Sequence, residues 1–186
     1  MAGGDGFEAR VEPLLEPLRR FLARRTDPDT AEDVLAETLL VLWRRRDELP
    51  VGEGALPWSY AVARLCLANA DRSARRRRRL AARVAVVDPP PSTTDHADHA
   101  DHAGDPGDPR ADLVAPALAA LPATDAEVLR LWAWEELAPR EIAVVLGTTA
   151  NAVSSRLSRA RTRLAAELAR QDDAGAGHRP TTRGDR

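Results

Sequence analysis

The chain of 186 residues contains no lysine: all 27 of its basic residues are arginine. That bias fits GC-rich coding, so the choice of Arg over Lys carries little chemical information here. One cysteine, Cys66, excludes an internal disulfide. A single Tyr, a single Met and two Phe mean that any core rests on Leu, Val, Ala and the four Trp. Few β-branched runs among so much Leu and Ala favour helix over strand. No run approaches the ~18 apolar residues of a membrane span. The opening MAGGDGFEARVEP lacks the apolar stretch of a secretory signal. These absences predict a soluble, cytoplasmic chain with no membrane insertion.

Histidine is also scarce, and its four copies (His96, His99, His102 and His178) lie outside every segment with helical periodicity. With no nucleophile–base pair and no Gly-rich phosphate loop visible, the sequence predicts no catalytic residue, no cofactor and no enzyme.

What is present is segregated charge. From Arg64 to Arg83 there are eight Arg against Asp71, while from Asp88 to Asp112 there are seven Asp against Arg110. A basic segment followed by an acidic connector suggests a surface for a polyanion. The periodicity predicts an all-α chain of two small helical domains joined by a flexible linker: residues 1–87, a disordered acidic linker 88–110, a second domain 111–170 and a disordered tail 171–186. In the first block EARVEPLLEPLRRFLARR carries Val11, Leu14, Leu15, Leu18 and Leu22 at helical spacing, with Pro13 and Pro17 expected to kink its first turns. DPDTAEDVLAETLLVLWRRRDELP follows, with Thr30 as expected N-cap and Asp33 three residues on. A third helix is expected from Pro57, with Trp58, Val62, Leu65 and Cys66 as its apolar stripe.

Arg75 to Arg79 are five consecutive arginines. At roughly 100° per residue they point all round a helix and cannot grip one surface together. Arg72, Arg76, Arg79 and Arg83 instead form one stripe, expected to prolong the face of Trp58, Val62, Leu65 and Asn69. Arg77 and Arg78 point elsewhere.

The second block opens with LPATDAEVLRLWAWEEL, where Thr124 and Glu127 resemble a capping box. PREIAVVLGTTANAVSSRLSRARTRL then reads as a helix-turn-helix. Gly147 permits the tight turn, and Thr148, Thr149, Asn151, Ser154 and Ser155 are of a size and polarity that suit a major groove. Arg156, Arg159 and Arg163 share one flank, suited to phosphates. In the linker, His96, His99 and His102 alternate with Asp95, Asp98 and Asp101. Both types ligate metals, but an expanded flexible repeat explains the pattern equally well, so no metal site is assigned.

Together these segments resemble the extracytoplasmic-function (ECF) sigma factors of bacterial RNA polymerase. AEDVLAETLLVLWRR is similar to the core-binding helix of sigma domain 2, PWSYAVARLCLAN and the arginines after it to that domain's −10 helix, and the helix-turn-helix to domain 4. The resemblance implies a protein that binds core polymerase, through the β′ clamp helices and the β flap, and directs promoter-specific initiation. It implies Asp33, Glu37 and Trp43 as core-binding residues. Trp58, Tyr60, Arg64, Asn69, Arg72, Arg75, Arg76 and Arg79 would meet the −10 element. Arg140, Thr149, Asn151, Ser154, Ser155, Arg156 and Arg159 would meet the −35 element. Family members often carry Lys where Ser154 stands. Promoter DNA is the implied ligand, and an anti-sigma factor a conceivable further partner. The alternative is a helix-turn-helix regulator that is not a polymerase subunit. A purely helical scaffold would have no need of the polar-then-Arg order after Gly147.

Overall fold

The computed structural model describes residues 5–87 and 111–176; the linker, including the Asp-His-Ala repeat, lies outside them. Among the described residues there are seven α-helices and no strand: α1 (Asp5–Ala23), α2 (Pro28–Arg44), α3 (Ala55–Val87), α4 (Ala111–Ala119), α5 (Ala123–Ala133), α6 (Pro139–Leu146) and α7 (Ala150–Ala176). They belong to two compact units, one holding α1 to α3 together with Val144–Gly147 and the other α4, α5, the start of α6, and α7.

In the first unit each of the three helices packs against the other two. The predicted stripe of α1 is its buried face: Val11, Leu14, Leu18 and Leu22 are buried, together with Phe21. α1 begins at Asp5 and runs on through Pro13 and Pro17, so neither proline delays the start of the helix or ends it. α2 begins earlier than expected. Asp27, not Thr30, is the N-cap: its carboxylate accepts the Thr30 amide at 2.9 Å, and Pro28 occupies the first turn, where its missing N–H costs nothing. That hydrogen bond holds the Asp27 carboxyl below its ordinary value. α2 buries Val34, Leu35, Thr38 and Leu42. The Thr38 hydroxyl, enclosed in this core, donates to the Val34 carbonyl at 2.7 Å, which satisfies it internally. The chain leaving α2 is tied back to α1 by Arg10, which donates to the carbonyls of Arg46, at 3.2 Å, and Leu49.

α3 follows a 3₁₀ turn (Gly52–Gly54) and opens at Ala55, two residues before the expected Pro57. Its buried side consists of Pro57, Ser59, Tyr60, Val62, Ala63 and Cys66. The Tyr60 ring stacks on Phe21 at 4.7 Å, and the Arg25 guanidinium covers the Phe21 ring at 3.7 Å. Burial pushes the Cys66 thiol above its ordinary value, against an opposing hydrogen bond with Thr38 and with a further push from the charge of Glu37. With 33 residues α3 is about 50 Å long, against about 29 Å for the 19 residues of α1. Its arginine-rich second half therefore outruns the packing of its own unit, and Arg75 to Leu80 are exposed all round.

In the second unit α7 packs against α4 and α5. α4, with Pro116 inside it, was not foreseen from the sequence. Nor is Thr124 a cap: α5 is capped by the backbone of Pro122, without a side-chain bond. The turn from α5 to α6 places Glu136 at φ 55°, a left-handed conformation uncommon for a residue with a side chain. α6 is closed at its start by Glu141, whose carboxylate accepts the Ala138 amide at 2.7 Å. At its end Gly147 has φ 63°, and two backbone bonds form a Schellman motif: Gly147 N–H to Val144 O at 3.3 Å and Thr148 N–H to Ala143 O at 3.0 Å. α7 then starts with Thr149 outside it, the Thr149 hydroxyl accepting the Ala152 amide at 3.3 Å. Its inner stripe is Val153, Leu157 and Ala160, with Leu164 and Leu168 half-buried. The helix continues to Ala176, so residues 171–176 of the expected disordered tail are helical.

Candidate nucleic-acid and polymerase interfaces

On α2 the side turned from the core carries Asp33 and Glu37, both exposed. Leu40 and Trp43 continue that side at helical spacing, 55% and 42% exposed. Trp43 is partly held, edge-on against Phe7 at 5.0 Å and with the Arg46 guanidinium 5.2 Å from its ring. An acidic pair followed by two large exposed apolar groups is an uncommon combination on a solvated helix face. Leu40 was not singled out in the sequence, and the structure leaves it exposed. The signal was its spacing of three and seven residues from Glu37 and Asp33.

α3 departs from expectation in where its arginine stripe comes from. Leu65 is 58% exposed and Asn69 is exposed, while Trp58 is half-buried with the Arg45 guanidinium 5.1 Å from its ring. Of the four positions expected to be buried ahead of the stripe, only Val62 is buried. The stripe Arg72, Arg76, Arg79 and Arg83 therefore prolongs an outer flank, opposite Tyr60, Ala63 and Cys66. All four arginines are exposed. Arg72 donates to Asn69, and Arg76 to the Ser73 hydroxyl at 3.4 Å, bonds that align the guanidinium groups along the helix without neutralising them. Arg64 is half-buried and Arg75 exposed, on the seam between the two sides. Tyr60 must be corrected: at 3% exposure and stacked on Phe21, it is a core residue and has no free face for a base.

In the second unit the outward side of α7 presents Asn151, Ser154, Ser155 and Arg159, all exposed, with Thr149 before them and Arg140 exposed on α6. Short polar groups at the N-terminal end and an arginine one turn further on are the order in which base edges and phosphates are met. Arg159 bonds the Ser155 carbonyl at 3.2 Å, leaving the rest of its guanidinium outward. Arg156 and Arg163 differ from the expected phosphate flank. Both turn toward Asp125, a 5%-exposed carboxylate on α5: Arg156 lies 4.0 Å from one oxygen, and Arg163 is bonded to the other. On the opposite flank of α7, Arg161 lies over the Trp132 ring at 3.8 Å. Asp125 was missed, although an acid at the head of the apolar series Val128, Leu129 and Trp132 was the signal for it.

No described helix is long and apolar enough to cross a membrane. Among the described residues no three His, Cys, Asp or Glu side chains come together to hold a metal ion.

Residues 112–164 match the family "Sigma-70, region 4". The chain is 32% identical over 157 residues to the probable RNA polymerase sigma factor RfaY of Xanthomonas campestris pv. campestris, an alignment covering 82% of this chain and 37% of that protein. The chain thus spans little more than a third of the length of that curated relative. Among solved structures it is similar to the sigma factor RpoE in complex with the anti-sigma factor NepR from Bartonella quintana, with a TM-score of 0.58, 25% identity, 88% of this chain and 96% of that chain covered. The fold is also that of the PhyRSL–NepR complex from Sphingomonas sp. Fr1, with a TM-score of 0.60, 15% identity, 97% of this chain and 96% of that chain covered. The region 4 match lies on the helix-turn-helix unit, and the likeness to sigma factors extends over most of the remaining chain.

Proposed function

We propose that the chain is an RNA polymerase sigma factor that binds core polymerase in the cytoplasm and directs initiation at promoters with −10 and −35 elements. The observation that carries this reading is the pairing of two surfaces on the first unit. A regulator built on a helix-turn-helix needs neither the acidic and apolar face of α2 nor an arginine stripe on a helix that outruns its domain. Asp33, Glu37, Leu40 and Trp43 dock on the β′ clamp helices, with the second unit reaching the β flap. Arg64, Arg72, Arg75, Arg76 and Arg79 hold the −10 DNA backbone, with Asn69 and Trp58 nearest the bases; stacking of an aromatic on an unpaired base supports the role of Trp58. Asn151, Ser154 and Ser155 read the −35 element, positioned by phosphate contacts from Thr149, Arg140 and Arg159.

The chain contributes recognition and no bond-making chemistry, which belongs to the polymerase. Joining two modest DNA contacts in one chain raises the effective concentration of the second once the first has formed. An anti-sigma factor is the further partner, a reading supported by the similarity to RpoE in its complex with NepR. The test is run-off transcription on genomic promoters with purified core polymerase, with and without the chain. Protein-dependent transcripts and core binding are expected. Absence of both sinks the reading, whereas promoter binding without core binding points to a regulator.

A further inference from the structure

Asp125 lies in the first turn of α5, buried, with its two carboxylate oxygens directed at two arginines one heptad apart on α7. Trp132, two turns along the same side of α5, takes Arg161. At roughly 100° per residue, Arg156 and Arg163 border one edge of α7's apolar stripe and Arg161 the other. An apolar stripe of Val153, Leu157 and Ala160 resists separation of the helices but is tolerant of roll, because dispersion and hydrophobic contacts are non-directional. Charge-assisted hydrogen bonds are directional, and an anchor on each edge opposes roll in both senses.

We propose that Asp125 is a positioning residue for DNA recognition: by clasping Arg163 and Arg156 it fixes the roll of α7, and so the direction in which Asn151, Ser154 and Ser155 face the duplex. The proposal rests on the −35 reading given above. It reassigns Arg156 and Arg163 from phosphate contacts to internal anchors and leaves Arg159 as the phosphate contact on that side. A buried carboxylate without its arginine would be left with a poorly compensated charge, so the pair has to stay together for the interface to close.

The test uses the full chain as Asp125→Asn, Arg163→Gln, their double variant and Arg159→Ala. Residual dipolar couplings of the ¹⁵N-labelled chain report the orientation of α7 against α5. Affinity is measured for a duplex enriched by the wild-type chain from a randomised library, against salt, at a temperature where circular dichroism shows every variant folded. Loss of stability alone does not move affinity under those conditions. The expected result is altered α7 couplings and roughly fivefold weaker binding for D125N and R163Q, with the double variant no weaker than either single one. Their salt slopes stay at the wild-type value, while R159A lowers the slope by about 0.9, the loss of one phosphate contact. Unchanged couplings overturn the proposal, as does a slope for R163Q that falls as in R159A, or wild-type affinity in both single variants. Should D125N fail to fold, R163Q, altered at an exposed side chain, decides alone. If the wild-type chain enriches no duplex, the −35 reading fails and the couplings still decide whether Asp125 sets the roll.

Discussion

Replacing Arg72, Arg76 and Arg79 together by Ala separates a stripe from a patch. The three side chains are exposed, and Arg72 and Arg76 bond neighbouring polar groups on the same helix, Asn69 and Ser73. Ala is at least as good a helix former as Arg, so the triple variant should keep its stability within about 0.5 kcal/mol per site. Binding should change far more. Each duplex phosphate contact contributes about 0.9 to the slope of log affinity against log salt, so the variant should lose about 2.7 from that slope, or about 2.1 if the contacts fall on a melted strand. Between about 50 and 200 mM salt, a slope difference of 2.7 is worth about 40-fold in affinity. The control is Arg77→Ala with Arg78→Ala, taken from the same run of five. Arg77 points to the azimuth of the core, and Arg78 already has an interaction within the chain. The assay is promoter-DNA binding by the holoenzyme across a salt series, with core binding measured separately. Equal slope losses per arginine in the two variants would refute the reasoning, because they would mean that the run acts as diffuse charge without a preferred side.

Three further outcomes follow from the packing. Phe21→Ala removes the ring between Tyr60 and Arg25 from a fully buried site, and denaturant unfolding should show a loss of about 3–5 kcal/mol. Gly147→Ala places a side chain at φ 63° with open space around it, so backbone strain rather than a clash sets the cost, about 1–2 kcal/mol by urea unfolding. Asp27→Ala removes the α2 cap at a cost of about 1 kcal/mol. The folded-state pKa of Asp27 is depressed, so its contribution is fully present above the ordinary carboxylate range and disappears as the pH falls through the folded value. The stability difference between wild type and D27A should therefore shrink on acidification. A difference that is constant from neutral to strongly acidic pH would refute the capping assignment.

The helical stripes were legible because burial against a neighbour imposes a period, and that period survives in the sequence whatever the partner helix is. Val11, Leu14, Leu18 and Leu22, and later Val153, Leu157 and Ala160, are buried as their spacing implies. Gly147 was legible for a local reason: a tight turn needs a left-handed residue, and glycine adopts that conformation without strain. What misled was chemistry that depends on a partner remote in sequence. Thr30 and Thr124 have capping side chains, but α2 is capped at Asp27, where Pro28 in the first turn moves the start upstream, and α5 at the backbone of Pro122. Tyr60 sits beside Trp58 in the sequence and could have shared its surface. Only the stack on Phe21, thirty-nine positions earlier, turns it inward. The arginines posed the sharpest ambiguity, since a guanidinium serves a phosphate, a carboxylate or an aromatic face with the same donors. On α3 every arginine of the run is exposed, and among the described residues of that unit no acidic side chain is buried to recruit one. On α7 the same spacing grouped Arg156 with Arg159, yet the buried carboxylate of Asp125 takes the first and leaves the second. Composition and periodicity locate an arginine-rich flank. Which of its members pair within the fold is decided by the acid underneath.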